Sequence, residues 1–353
     1  MDNLEALREK VDKVNGDLLE LLNLRTALVD AIIKHKDRLN VDYYDPVREN
    51  EMLKEILHHN KGPLSNELVR DIFSCIFKTT LLYMGLSRER KLLVGSCAGK
   101  RFKTIHEMFD IPSGWPVVIA GPCAIENTVY LDSIAGTLAK YNIKLLRGGA
   151  YKPRTSPYEF QGLKEEGLKI LNAVSKKYHL HSVTEVVDTR DVELVARYAD
   201  VLQIGARNMQ NYELLKEAGQ TRKPIILKRG MSATIEEFIL AAEYIALQGN
   251  ENIILCERGI RSFEKKTRNT LDISCIPVIK RETTLPIIVD LSHSLGRKDI
   301  IVPVAKAVLA AAADGIMVEV HPEPEYALSD SKQQLNIEEF LRLMDCIGIH
   351  GME

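Results

Sequence analysis

Between residues 4 and 36 the apolar positions recur at helical spacing: Leu4, Leu7, Val11, Val14, Leu18, Leu21, Leu22, Leu28, Val29 and Ile32. The spacing predicts one long amphipathic helix, about 50 Å in length if unbroken. Gly16 is a mild weak point in its middle. Asp45-Pro46 reads as an N-cap followed by proline at the first helical position, so a second helix is expected from there to His58. Gly62-Pro63 ends that segment, and a third helical pattern runs from Asn66 to Met84. Three helices, one of them very long, cannot bury their apolar faces alone. Pairing with a second copy of the chain is the expected solution.

The pattern changes after Ser87. Arg88, Arg90 and Lys91 form a basic run, Gly95 and Gly99 follow, and Pro112-Ser113-Gly114 closes the stretch; it reads as a linker over 88–114. From Trp115 onward short apolar runs alternate with helical patterns: 117–120, 143–146, 181–185, 201–205, 224–228, 252–256, 286–290 and 315–320. Eight strands with intervening helices over roughly 240 residues have the size and rhythm of a (β/α)8 barrel. A doubly wound open sheet is the competing α/β architecture, but no glycine-rich phosphate fingerprint follows an early strand. The expected organisation is an all-helical domain over 1–87, the linker, and a TIM-type α/β barrel over 115–353.

Composition adds little beyond exclusions. A hydrophobic fraction of 45% supports a sizeable core without staples. The net charge of -2 gives no whole-molecule attraction for nucleic acid or for a membrane surface. No run reaches the roughly 18 apolar residues of a spanning helix, and the first residues hold no apolar signal core, so a cytoplasmic location is expected. Six scattered cysteines without a CxxC pair read as reduced, mostly buried thiols.

In a barrel the reactive groups sit just after the C-terminal ends of the strands. Those positions hold a cationic set: Arg147, Lys152, Arg154, Arg207, Lys228 and Arg258. Any one of them alone is an ordinary surface charge. Six on one rim need anionic partners, and the planar fork of arginine suits phosphate and carboxylate. A second set is Cys123, His293, Glu319 and Asp330. A thiolate, an imidazole and two carboxylates suit a divalent transition metal, with too few sulfurs for a structural zinc cage. Taken singly, a residue like Cys123 is more often a buried small hydrophobe and one like His293 more often a hydrogen-bonded structural histidine.

The strand-end motifs GPCAIE, LLRGGAYKPRTSP, QIGARNMQNYELL, LKRG, CERG, DLSHSLGRK and VEVHPEPEYALSDSKQQL resemble the 3-deoxy-D-arabino-heptulosonate 7-phosphate (DAHP) synthase family over essentially all of 115–345. The resemblance implies condensation of phosphoenolpyruvate with erythrose 4-phosphate, the entry to the shikimate pathway, with one divalent metal per barrel (Mn, Fe, Co, Zn or Cu). It puts the metal on Cys123, His293, Glu319 and Asp330. Arg207 and Arg258 match positions that hold the phosphoenolpyruvate phosphate; Arg147, Lys152 and Lys228 match those near its carboxylate and the reacting centre. Arg154 and Thr155 match the erythrose 4-phosphate site, and Lys152 is the candidate general acid. The alternative is a 3-deoxy-D-manno-octulosonate 8-phosphate synthase, which shares the barrel and phosphoenolpyruvate. That family has a KANRSS-type sequence where this chain has Lys152-Pro-Arg154-Thr155.

Residues 4–86 resemble the all-helical chorismate mutase family through LREKVDKVNGDLLELLNLR, KHK and DPVREN. The matching positions are Arg8 (reaching into the partner's site), Arg25, Lys36, Asp45, Arg48 and Glu49. The three arginines are implied to hold carboxylates, Lys36 to donate to the breaking ether oxygen, and Glu49 to bind the ring hydroxyl. Where the family has a glutamine or glutamate as second donor, this chain aligns Met84, or Tyr83 if the register slips by one. Loss of one such donor typically costs about 2.7–4 kcal/mol. Two readings therefore stand for this domain: a mutase, or a module that binds chorismate or prephenate and inhibits the barrel, including a purely regulatory or dimerisation role. A homotetramer built on helical-domain pairing is expected.

Overall fold

The computed structural model describes residues 4–39, 46–87, 92–96, 101–154 and 156–351, with the side chains at 37–39, 46–47, 50, 78, 81–82 and 84–87 outside the description. Asp45, Cys97 and Thr155, and the side chain of Met84, therefore lie outside the described residues. Two compact units divide the chain, 1–91 and 92–353.

The first unit is helical: α1 (Leu4–Leu39), α2 (Pro46–His59) and α3 (Asn66–Ser87). Helix α1 passes Gly16 without interruption, and a Cβ there would meet nothing within 4 Å. Its small core holds Ile33, Val69 and Phe77, with Phe73 edge-on to Phe77 at 6.2 Å between ring centres. Most of the apolar stripe of α1 stays uncovered, from Leu4 through Leu18 and Leu21 to Ile32.

The second unit is the barrel. Its strands are β1 (Val117–Gly121), β2 (Leu145–Arg147), β3 (His181–Val186), β4 (Val201–Ile204), β5 (Ile225–Lys228), β6 (Ile253–Glu257), β7 (Ile287–Asp290) and β8 (Gly315–Glu319). They pair in parallel in chain order and close, β8 onto β1, with Val117 opposite Gly315 and Gly121 opposite Glu319. Continuous apolar runs form these strands because both faces are covered. One face packs on the surrounding helices; the other fills the barrel with Ile119, Leu145, Val183, Val201, Ile226, Ile254, Ile288 and Met317.

The stretch expected as a linker is largely part of the barrel. Thr104 and Glu107 form a reciprocal capping box that starts the short helix α4 (Ile105–Phe109), and Asp110 ends it with φ 51°. Ile105 and Phe109 are buried against the interior side chains and close the N-terminal end of the barrel. Upstream, Val94 is buried, Gly95 bridges Thr283, and Glu243 accepts the Leu93 and Val94 amides. Apolar burial outweighed the glycine and basic composition that suggested a tether.

The outer helices are α5 (Thr128–Lys140), α6 (Glu165–Lys177), α7 (Val192–Tyr198), α8 (Tyr212–Gln220), α9 (Ile235–Ala246), α10 (Cys275–Glu282), α11 (Leu291–Leu295), α12 (Ile301–Ala310) and α13 (Ile337–Cys346). Gly121 ends β1 at φ 148°, where a Cβ would stand 1.9 Å from the Arg147 carbonyl oxygen, so only glycine lets β1 and β2 approach there. Among the described cysteines, Cys123, Cys256 and Cys275 are buried, whereas Cys75 and Cys346 are exposed. No helix among the described residues is long and apolar enough to cross a membrane.

Candidate active site

Four side chains from two loops, one strand and one short helix meet at the C-terminal mouth. Cys123 follows β1, its amide donating to Gln334 Oε1 at 3.0 Å. Glu319 is the last residue of β8, fully buried, with its amide on Ser292 Oγ at 2.8 Å. His293 stands in α11, which begins directly after β7 because Asp290 caps it: Oδ1 of Asp290 accepts the His293 amide at 3.0 Å. Asp330 lies in the loop after β8 with φ 47°, an unusual conformation for a non-glycine residue.

One ligand atom from each of the four falls within 4.8 Å of all the others. Cys123 Sγ is 3.2 Å from an Asp330 oxygen, and His293 Nε2 is 3.5 Å from Glu319 and 3.7 Å from Asp330. The residues fit a divalent transition metal. Nδ1 of His293 lies 2.8 Å from Asp290 Oδ2, which assigns its proton to that nitrogen and leaves the Nε2 lone pair facing the cluster. Arg147 Nη1 and Glu319 Oε1 are 3.1 Å apart but misaligned for a hydrogen bond, so this buried carboxylate oxygen keeps a lone pair for another cation.

Burial, reinforced by Glu319, pushes the Cys123 thiol up to about 12. Burial also lowers His293 from its usual value, keeping it neutral and able to ligate. For Asp330 burial acts upward, but the surrounding polar and charged groups, Arg268 first among them, outweigh it and hold the carboxyl at about 2.

A cavity of about 410 Å³ opens onto this cluster. All six cations singled out in the sequence line it, and Arg261 and Arg268 join them. Lys152 touches both features: Nζ is 3.0 Å from Cys123 Sγ and 3.1 Å from the Cys123 carbonyl. Burial alone would lower this lysine, yet the Cys123 sulfur and Glu319 leave it above 10.5, so it stays protonated. Arg258 is buried and depressed, chiefly by burial, but a guanidinium remains charged under any ordinary condition. Arg154 pairs with Glu159 at 2.8 Å, Arg207 Nη1 donates to the Pro153 carbonyl at 3.4 Å, and Lys228 pairs with Asp290.

Several wall residues were not singled out from the sequence. Glu185 of β3 and Gln203 of β4 point inward, their side chains 3.4 Å apart, and strand alternation within HSVTEV and VLQI was the available signal. Gln333 donates to Glu319 Oε2 at 2.6 Å, and Arg268 binds both Gln333 at 2.6 Å and Asp330 at 3.2 Å. Arg229, beside Lys228, does not face the cavity; it is buried on Glu257 and Asp272, each at 2.9 Å.

In the helical unit a second cavity, of about 520 Å³, is lined by Arg25, Met52, Glu55, Ile56, His59, Asn60, Val69, Phe73 and Phe77. Arg25 donates to Thr80 Oγ1 at 2.5 Å and lies 5.3 Å from the Phe77 ring centre. Arg8 is exposed, Arg48 faces Glu51 at 3.7 Å, and Lys36 and Glu49 are half-buried; none of these four lines the cavity.

A closed barrel whose mouth joins a cationic pocket to a mixed four-donor cluster has the layout of a TIM-barrel enzyme site. Residues 110–349 match the DAHP synthetase I family, and residues 7–84 match chorismate mutase type II. A phospho-2-dehydro-3-deoxyheptonate aldolase of Thermotoga maritima is 55% identical over 255 residues, covering 70% of this chain and 75% of the relative. A crystal structure of DAHP synthase from Thermotoga maritima superposes with a TM-score of 0.69 at 51% identity, covering 72% of this chain and 75% of that one. A 2-dehydro-3-deoxyphosphooctonate aldolase of Syntrophotalea carbinolica is 31% identical over 241 residues, 63% of this chain and 86% of the relative. The chain belongs to the DAHP synthetase I family and carries an N-terminal chorismate mutase type II domain.

Proposed function

We propose that the barrel condenses phosphoenolpyruvate with erythrose 4-phosphate to DAHP, using a divalent metal held by Cys123, His293, Glu319 and Asp330. The observation that carries this reading is the eight-cation cavity opening onto the ligand cluster, with Lys152 in contact with Cys123. Bound there, the metal supplies Lewis-acid polarisation of the aldehyde. Arg207 and Arg258 hold the phosphoenolpyruvate phosphate, and Arg147 and Lys228 face its carboxylate; Arg154 and Thr155 take the phosphate of the aldose. This pairing aligns the phosphoenolpyruvate methylene carbon with the aldehyde carbon, where the new C–C bond forms. Lys152 delivers a proton to the resulting alkoxide oxygen. Water adds to the adjacent cationic carbon, and the hemiketal phosphate so formed loses inorganic phosphate.

The 55% identity to a heptonate aldolase against 31% to an octonate aldolase favours the four-carbon acceptor. Phosphoenolpyruvate consumption is measured with erythrose 4-phosphate and with arabinose 5-phosphate, with and without a chelator. Turnover only with arabinose 5-phosphate, or full turnover after exhaustive chelation, overturns the reading.

For the helical unit we propose a binding site for chorismate or prephenate that completes itself on pairing. The exposed apolar stripe of α1 needs a cover, and Arg8 on the same helix then reaches the partner's site. Its mutase activity is tested as loss of chorismate with the full chain. Its regulatory role is tested by adding prephenate to the synthase assay; an unchanged rate rejects inhibition.

A further inference from the structure

The four ligands and the cations are not independent, because one buried carboxylate serves both. Asp290 is fully buried at the end of β7. Its Oδ2 takes His293 Nδ1 at 2.8 Å and also the ammonium of Lys228, which arrives from β5, separated from β7 by β6 alone. Its Oδ1 is occupied by the His293 amide at 3.0 Å. Lys228 lines the substrate cavity, and His293 turns its other nitrogen to the ligand cluster.

We propose that Asp290 is a positioning residue that couples metal binding to phosphoenolpyruvate binding through the His293–Asp290–Lys228 chain. The proposal rests on the metal and substrate sites assigned above. A cation on Nε2 withdraws electron density from the imidazole, and the Nδ1–H becomes a stronger donor to Oδ2. That oxygen then neutralises less of the Lys228 charge, and the ammonium presents more of it to the substrate carboxylate. No proton changes owner and no backbone moves; the coupling is electrostatic. By linkage the effect is reciprocal, so the substrate tightens the metal by the same factor that the metal tightens the substrate.

The experiment titrates Co²⁺ into the metal-free full-length protein, with and without saturating phosphoenolpyruvate, following the cobalt–thiolate absorption. Phosphoenolpyruvate is titrated separately by calorimetry, with and without Co²⁺. The same four titrations are made on Asp290→Asn, which keeps one of the two acceptors for His293 and removes the charge facing Lys228, and on Lys228→Gln. In the wild type, each ligand is expected to raise the affinity of the other by about fivefold or more, within the range of ordinary linkage. In both variants the factor falls to less than half that of the wild type, while Co²⁺ still binds through Cys123. A coupling factor in Asp290→Asn equal to that of the wild type, or none in the wild type, overturns the relay. Failure of wild-type protein to bind Co²⁺ or phosphoenolpyruvate at all defeats the proposed function instead. If Asp290→Asn does not fold, judged by its near-ultraviolet circular dichroism, Lys228→Gln alone decides: retained coupling sinks the proposal.

Discussion

Removing the ammonium of Lys152 is the most direct test of the chemistry. Nζ sits 3.0 Å from the Cys123 sulfur on a half-buried side chain and is held protonated above 10.5, so it is an acid at neutral pH and not an imine-forming amine. Lys152→Met keeps the length of the aliphatic stem and deletes the proton. Loss of a general acid lowers turnover about 10²–10⁴-fold, or roughly 2.7–5.4 kcal/mol of barrel-mouth transition-state stabilisation. Lys152→Arg keeps the positive charge but moves the donor atoms, so it restores phosphoenolpyruvate binding and leaves kcat depressed. The assay follows the ultraviolet absorbance of phosphoenolpyruvate at saturating erythrose 4-phosphate and saturating metal, which separates proton delivery from weakened metal binding at Cys123. A Lys152→Met enzyme with kcat within about threefold of the wild type refutes the acid role, since the expected loss begins near 10². Because the lysine is raised, no basic limb from this group is expected in the wild-type pH profile below its ordinary value of 10.5.

Metal uptake is expected to release about one proton, because the Cys123 thiol at about 12 is protonated until it ligates; affinity then rises with pH, and a pH-indicator titration that detects no release contradicts this. Asp330 is depressed to about 2, so its contribution to stability is complete above the unfolded carboxyl value and is lost as pH falls from roughly 4 towards 2. Melting temperatures of the metal-free protein across that window should be less steep for Asp330→Asn than for the wild type. Arg229→Met strands Glu257, which is fully buried, and is expected to cost about 3–5 kcal/mol in denaturant unfolding. Adding Glu257→Gln should recover part of that loss, and no recovery would locate the damage in packing instead.

The barrel was legible because most of its parallel strands are apolar runs covered on both faces that end shortly before a reactive residue, as in VVIAG before Cys123 and IIVD before His293. Residues that act from inside a run or from deep in a long loop escaped that rule. Glu185 sits within β3, and Arg261 and Arg268 lie well past the end of β6. The stretch 88–114 misled through its opening basic run (Arg88, Arg90, Lys91) and its glycines, although Thr104-Ile-His-Glu107 spells a capping box and Ile105 and Phe109 supply the apolar plug. In the helical domain the mutase-type pattern was readable along α1, where Arg8 stands exposed to solvent.

The packed barrel interior and the plug beneath it leave the upper mouth as the way in and out. With Ile105 and Phe109 packed against Val117, Val201 and Ile254, the lower end of the barrel is sealed with hydrocarbon. Under the proposed assignment, what enters at the upper mouth leaves by it, and the sugar product and freed phosphate depart past the arginines that line the cavity. Grip on phosphate is therefore a compromise between capture and discharge, and inorganic phosphate should compete with phosphoenolpyruvate for the site it has just vacated.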